Sequence, residues 1–172
     1  VQACDVPRGK AGIQGKAAAR QVAVEDNRHV LVVSAGGERY GFAIESITEL
    51  VELADCVALP GAPAWIAGIT QVRSVPHVVV MLQALLGRSS TAVDLVAGDQ
   101  VDDVAGQGWM LLVERGSLVF GVLVDSVSGI EEYAPRDINA IHHPDSAIVA
   151  VLENREGKLV MQVDPARLLD AE

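Results

Sequence analysis

Residues 30–53, VLVVSAGGERYGFAIESITELVEL, lie without a gap over residues 110–133, MLLVERGSLVFGVLVDSVSGIEEY. Tyr40-Gly41 meets Phe120-Gly121, and Ile44-Glu45-Ser46-Ile47 meets Val124-Asp125-Ser126-Val127. At a slightly larger offset the match resumes, with Arg73 over Arg155 and Ala84-Leu85-Leu86 over Arg167-Leu168-Leu169. Alternating strands match by chance when apolar residues are common. An aromatic-Gly pair, a carboxylate-Ser pair and two Leu-Leu helix ends in one alignment do not. The chain is read as an internal duplication.

Each copy reads as strands. Val30 to Ala35 is a β-branched run, Gly36-Gly37 is a two-residue hairpin signal, and Glu38 to Ile44 is the returning strand. Ile47 to Leu53 alternates again. Leu59-Pro60-Gly61-Ala62-Pro63 is a loop, because its prolines remove backbone donors. Further strands are expected at Ala67 to Val72 and Val78 to Leu82, then a short helix at Gln83 to Leu86 ended by Gly87. In the second copy strands are expected at Trp109 to Glu114, Leu118 to Val124, Val127 to Tyr133, Ile148 to Glu153 and Lys158 to Val163. A last helix starts at Asp164-Pro165, with aspartate as N-cap and proline at the first helical position.

The duplication predicts a mostly β fold of two five-stranded barrels, each ending in a short helix. The first barrel is placed at about 29–87 and the second at about 108–170. Each is near the lower size limit for a stable core, so the two are expected to pack together around a groove. Residues 1–27 carry no sustained apolar period and are read as a flexible tail. Residues 88–107 are small and acidic and are read as a mobile excursion between the barrels.

Composition narrows the function. Half the 172 residues are hydrophobic but only 3% are aromatic, so the core must be Val, Ile, Leu and Ala. No apolar run approaches the roughly 20 residues of a spanning helix, and the first residues lack a signal-peptide core. A cytoplasmic protein with no direct membrane insertion is expected. The net charge of -10 argues against a nucleic-acid partner, since phosphate binding needs a concentrated basic surface. In that compartment Cys56 is expected to be reduced and buried and not paired with Cys4.

Enzymatic signals are weak. Gly12-Ile13-Gln14-Gly15-Lys16 has too few residues between its glycines for a phosphate loop and no following hydroxyl residue. No Gly-x-Ser-x-Gly elbow is present. His142 and His143 are adjacent, so on an extended segment they face opposite ways, and zinc needs further ligands. No catalytic, metal or cofactor residues are assigned.

From Tyr40 to Val51 an aromatic-Gly strand leads into an alternating segment. A Pro-containing loop ending in an apolar-Gly pair follows at Pro60 to Gly68, and Gly121 to Val127 gives Gly-apolar-apolar-Val-Asp-x-Val. Over residues 29 to 170 these features resemble the CheW-type chemotaxis coupling domain. The resemblance implies SH3-like barrels, no catalysis, and an adaptor joining the cytoplasmic tips of chemoreceptors to the regulatory domain of a histidine autokinase. Where that family has Asn-Leu-Arg-Gly, this chain has Gln71-Val72-Arg73-Ser74. The departure is compatible with a coupling protein of a non-flagellar, surface-motility pathway. A small ligand-binding or enzymatic barrel using the inter-barrel groove is the rival from another class.

The resemblance assigns partner contact to Arg73, Ile47, Glu49 and Gly68. A guanidinium presents a planar fork suited to carboxylates or carbonyls, although Arg73 would serve equally to hold its own loop. Ile47 and Glu49 share one side of the strand if it is regular, and Ile47 would otherwise be core. Gly68 suits a close backbone approach, to a partner or within the chain. Asp125 is read as closing a turn.

Overall fold

The computed structural model describes residues 27–87 and 108–170. The tail at 1–26 and the connection at 88–107 lie outside those residues. Eleven strands and two short helices follow in chain order: β1 Arg28–Ala35, β2 Glu38–Ala43, β3 Ile47–Glu52, β4 Ile66–Val72, β5 Val75–Met81, α1 Leu82–Leu85, β6 Trp109–Arg115, β7 Leu118–Val124, β8 Ser126–Tyr133, β9 Ile138–Ala140, β10 Ile148–Glu153, β11 Leu159–Val163 and α2 Pro165–Leu168. They form two curled sheets, the SH3-like barrels of a mostly β fold. Among the described residues no helix is long and apolar enough to cross a membrane.

The strand order is β8-β1-β2-β11-β10-β9 in the first sheet and β3-β6-β7-β5-β4 in the second. Both orders obey the repeat. Replacing each strand of the first sheet by its copy gives β3-β6-β7-β5-β4, and the partner of β9 is the isolated bridge Val57 to Ile69. Even the bulges coincide: the register slips between Val32 and Val33 against β8, and between Ile47 and Glu49 against β6. It slips again between Ile66 and Gly68 in β4, and between Ile148 and Ala150 in β10.

The boundaries expected from the sequence do not describe these sheets. The second sheet takes every strand from Ile47 to Val124, whereas the first joins β1 and β2 to β8 through β11. Each repeat therefore lends its first hairpin to the other repeat's remaining strands. The cause is local. A 3-10 turn at Ile44–Ser46, where Ser46 Oγ donates to the Ala43 carbonyl over 2.6 Å, carries the chain out of the first sheet. Asp125 marks the return crossing. Its backbone N–H donates to the Ser34 carbonyl, and its carboxylate accepts from the Gly36 N–H at 2.7 Å, closing the β1–β2 turn. One consequence concerns residues 88–107, which join β5 and α1 to β6 within one sheet and do not link the two barrels.

Among the described residues, three apolar clusters hold this arrangement. The largest lies between the sheets and draws Leu31, Val33, Tyr40 and Phe42 from one, and Leu111, Val113, Phe120 and Val122 from the other. The contact between barrels is thus packed core. Smaller clusters line each sheet's inner face, around Val30, Val32 and Leu152 in the first and Leu53, Val79 and Met110 in the second. The aromatic-Gly pairs of the repeat are explained here. A Cβ on Gly41 would lie 2.5 Å from a Val30 methyl, and one on Gly121 would lie 2.2 Å from the Met110 sulfur.

Several details differ from the sequence reading. β5 begins at Val75 and runs through Pro76, which is tolerated because β7 joins β5 only from Val79 onward. The short strand β9 was not foreseen. The helix signals hold, with Asp164 accepting from the Ala166 N–H at 2.9 Å and Pro165 opening α2.

Candidate functional site

The turn between β4 and β5 consists of Arg73 and Ser74, both at positive φ, 51° and 69°. A two-residue hairpin with two positive φ angles matches the right-handed twist of its strands. The conformation glycine would favour at residue 74 is thus adopted by serine, and the altered Gln71-Val72-Arg73-Ser74 sequence does not open the turn. Left-handed backbone is unfavourable for a residue with a Cβ. Ser74→Gly is therefore expected to raise stability by about 1 kcal/mol, read as a higher denaturation midpoint at unchanged slope.

From this turn Arg73 Nη2 reaches Glu49 Oε1 of β3 at 2.8 Å. The guanidinium side chain is 80% exposed and the carboxylate 28%. Such an exposed pair adds at most about 1 kcal/mol of stability. It does tie β3, one edge of the second sheet, to the hairpin that contains β4, the other edge. Arg73 keeps most of its donors free for a further acceptor.

Ile47 and Glu49 are separated by the β3 bulge, so they do not share a face by simple alternation. Ile47 is half-buried against the central cluster, and Glu49 turns to Arg73. Gly68 is buried beneath Cys56 and Val57. A Cβ there would lie 2.3 Å from the Val57 carbonyl oxygen and 2.8 Å from the Cys56 sulfur. The close approach that Gly68 serves is to its own chain, which separates it from the exposed Arg73. Cys56 is a free, half-buried thiol whose pKa burial raises.

Sequence reading missed a second polar constellation at one end of the first sheet. Arg39 pairs with Glu131 at 2.8 Å, and the Tyr133 hydroxyl donates to the other oxygen of Glu131 at 2.5 Å. Burial, reinforced by that carboxylate, raises the Tyr133 phenol well above its usual range. Beside them Arg28 donates to Gln162 over 2.9 Å. Of these groups Arg39 and Glu131 line a cleft of about 800 Å³ between the Asn27 end of β1, the 134–137 turn and the β10–β11 hairpin. A signal was present in the repeat alignment, where Arg39, Glu131 and Tyr133 face Val119, Val51 and Leu53. His142 and His143 are exposed, and no group of potential metal ligands forms among the described residues.

These features define a paired-barrel β module with an exposed arginine turn on one barrel and a charged cleft on the other. A CheW-like domain model matches residues 29–172, and the chain belongs to that family. The fold is similar to the crystal structure of the scaffolding protein TtCheW from Thermoanaerobacter tengcongensis. The TM-score is 0.66 at 20% identity, covering 84% of this chain and 95% of that one. No curated protein sequence matches the chain.

Proposed function

We propose that this chain is a non-enzymatic adaptor of a chemotaxis-type pathway, coupling the cytoplasmic tips of chemoreceptors to the regulatory domain of a histidine autokinase. Membership of the CheW-like family supports the class of function. The observation that carries the reading to particular residues is the Arg73–Glu49 pair, which joins an exposed tight turn to β3, the strand that begins at Ile47. An adaptor of this kind needs no reacting group. It needs a rigid edge whose charged and apolar groups match a partner, and different contacts in each signalling state. Gly68 supports that edge by letting the 56–57 segment bridge to β4.

Arg73→Ala is expected to weaken partner binding roughly tenfold, because charged hydrogen bonds contribute about 1.5–3 kcal/mol. Charge reversal in Arg73→Glu should be worse, since it places a second carboxylate beside Glu49. Titration against a receptor-tip peptide and the kinase's regulatory domain separates the two surfaces. Melting temperature is the control, as an exposed pair contributes little to stability. Unchanged affinity for both partners, with the fold intact, reduces Arg73 to a fastener of its own loop.

A further inference from the structure

The two barrels have different interiors at equivalent positions, and the difference is organised. In the second barrel Val51, Leu53, Val79 and Val119 belong to one continuous apolar cluster. Their counterparts in the first barrel are Glu131, Tyr133, Gln162 and Arg39, and all four are linked in hydrogen-bonded pairs or triads. Burying charged and polar groups is unfavourable unless each finds a partner. An apolar solution of the same shape is present in the other half of the molecule. Two of the four replacements, Arg39 and Glu131, line one cleft, with Tyr133 bonded to Glu131 behind it, and this arrangement requires a reason beyond folding.

The pairing in the cleft is incomplete in both senses. Among the described residues the buried Nη1 of Arg39 has no acceptor, and the buried Oδ1 of Asn27 has no donor. On the rim Lys158 pairs with Glu156 and Arg136 with Asp137. Among the described residues Arg155 forms no ion pair, and neither does Glu153 on the adjoining strand end. Among the described residues Glu132 holds only the Asn27 amide. The cleft therefore offers surplus donors for an anionic group and surplus acceptors for a cationic one. Its volume of about 800 Å³ lies within the range of small-ligand sites.

We propose that this cleft is a binding site for a small zwitterionic ligand carrying an ammonium and a carboxylate, the chemistry shared by free amino acids and short peptides. The carboxylate accepts from Arg39 Nη1 and Arg155. The ammonium donates to Asn27 Oδ1 and to the carboxylates of Glu132 and Glu153. This site is separate from the Arg73 turn and does not depend on the adaptor reading.

The test is titration of the ¹⁵N-labelled full chain with L-glutamine and with triglycine, up to about 10 mM, which detects affinities in the millimolar range. Saturable shifts confined to residues around 27, 39, 131–137 and 153–158 are expected with one or both. Binding of glutamine alone assigns the site to free amino acids; binding of triglycine alone assigns it to peptides. N-acetyl-triglycine and triglycine amide each lack one charge and should bind at least tenfold more weakly. The double variant Arg39→Val/Glu131→Val copies the second barrel at the two positions that line the cleft and should abolish binding. Arg155→Gln, at an exposed position, guards against misfolding of that variant and should weaken binding severalfold. The proposal is overturned if neither probe gives a saturable shift, if the capped peptides bind equally well, or if Arg155→Gln and the double variant both bind as the parent does.

Discussion

Expressed as separate polypeptides, residues 27–87 and 108–170 are each expected to be unfolded, and to assemble one-to-one into the native fold when mixed. The division falls between the two copies of the repeat, where independent barrels would survive. In the exchanged arrangement each fragment holds a hairpin from one sheet and the outer strands of the other. The 27–87 fragment retains β1–β2 without β8 or β11, and β3 through β5 without β6 and β7. Tyr40, Phe42 and Leu31 would then face water in place of Phe120, Val122 and Leu111. A chain of about 60 residues has little stability to spare even with its core complete. Circular dichroism and amide dispersion of each fragment alone, then of the mixture, read the outcome. A cooperative melt from either fragment alone would contradict the strand exchange.

The second large effect is expected at Gly68. Two reciprocal backbone hydrogen bonds of 2.8 Å join Val57 to Ile69 and lay the 56–57 segment over β4. Gly68, at a φ of 154°, sits under that segment, with the Val57 carbonyl where a Cβ would be. A backbone oxygen cannot rotate aside as a side chain can, so Gly68→Ala must displace the segment or distort β4. A loss of about 3 kcal/mol is expected from strain and overpacking together. For a domain of this size that lowers the melting temperature by roughly 10 °C. Its counterpart Ala150 already carries a Cβ at the same bulge, which makes the restriction particular to the first copy. A melting temperature within about 1 °C of the parent, combined with lost partner binding, would move Gly68 from internal packing to the partner surface.

Much of the strand inventory was legible because it depends on short-range chemistry. Gly36-Gly37 and the alternation on either side of it specify a hairpin locally, and Asp164-Pro165 specifies a helix start within three residues. The repeat was legible because equivalent positions face equivalent constraints, as Gly41 and Gly121 do against Val30 and Met110. Only a family resemblance singles out Arg73 and Glu49 in the sequence, and their 2.8 Å contact is a product of folding. The regular strand assumed for Ile47 and Glu49 failed at a bulge, since one extra residue in a ladder leaves no mark on hydrophobic alternation.

The amino-acid sequence by itself determined that this protein is a duplicated, mostly β chain with two hairpins and two terminal helical turns. Periodicity, turn residues and self-similarity carry that information locally. The core, expected to be Val, Ile, Leu and Ala, also takes in Tyr40, Phe42, Phe120 and Tyr133. Only the tertiary structure decided which strands share a sheet. β3 and β8 are copies of one another, so β1 meets nearly the same alternating pattern whether it pairs with one or the other. The choice falls to the corners at Ile44–Ser46 and Asp125, whose hydrogen bonds send each strand across to the opposite sheet. The charged cleft was decided in the same way. Arg39 and Glu131 are 92 positions apart, and no local pattern shows that two opposite charges will meet at the cleft of one barrel while valines fill the same place in the other.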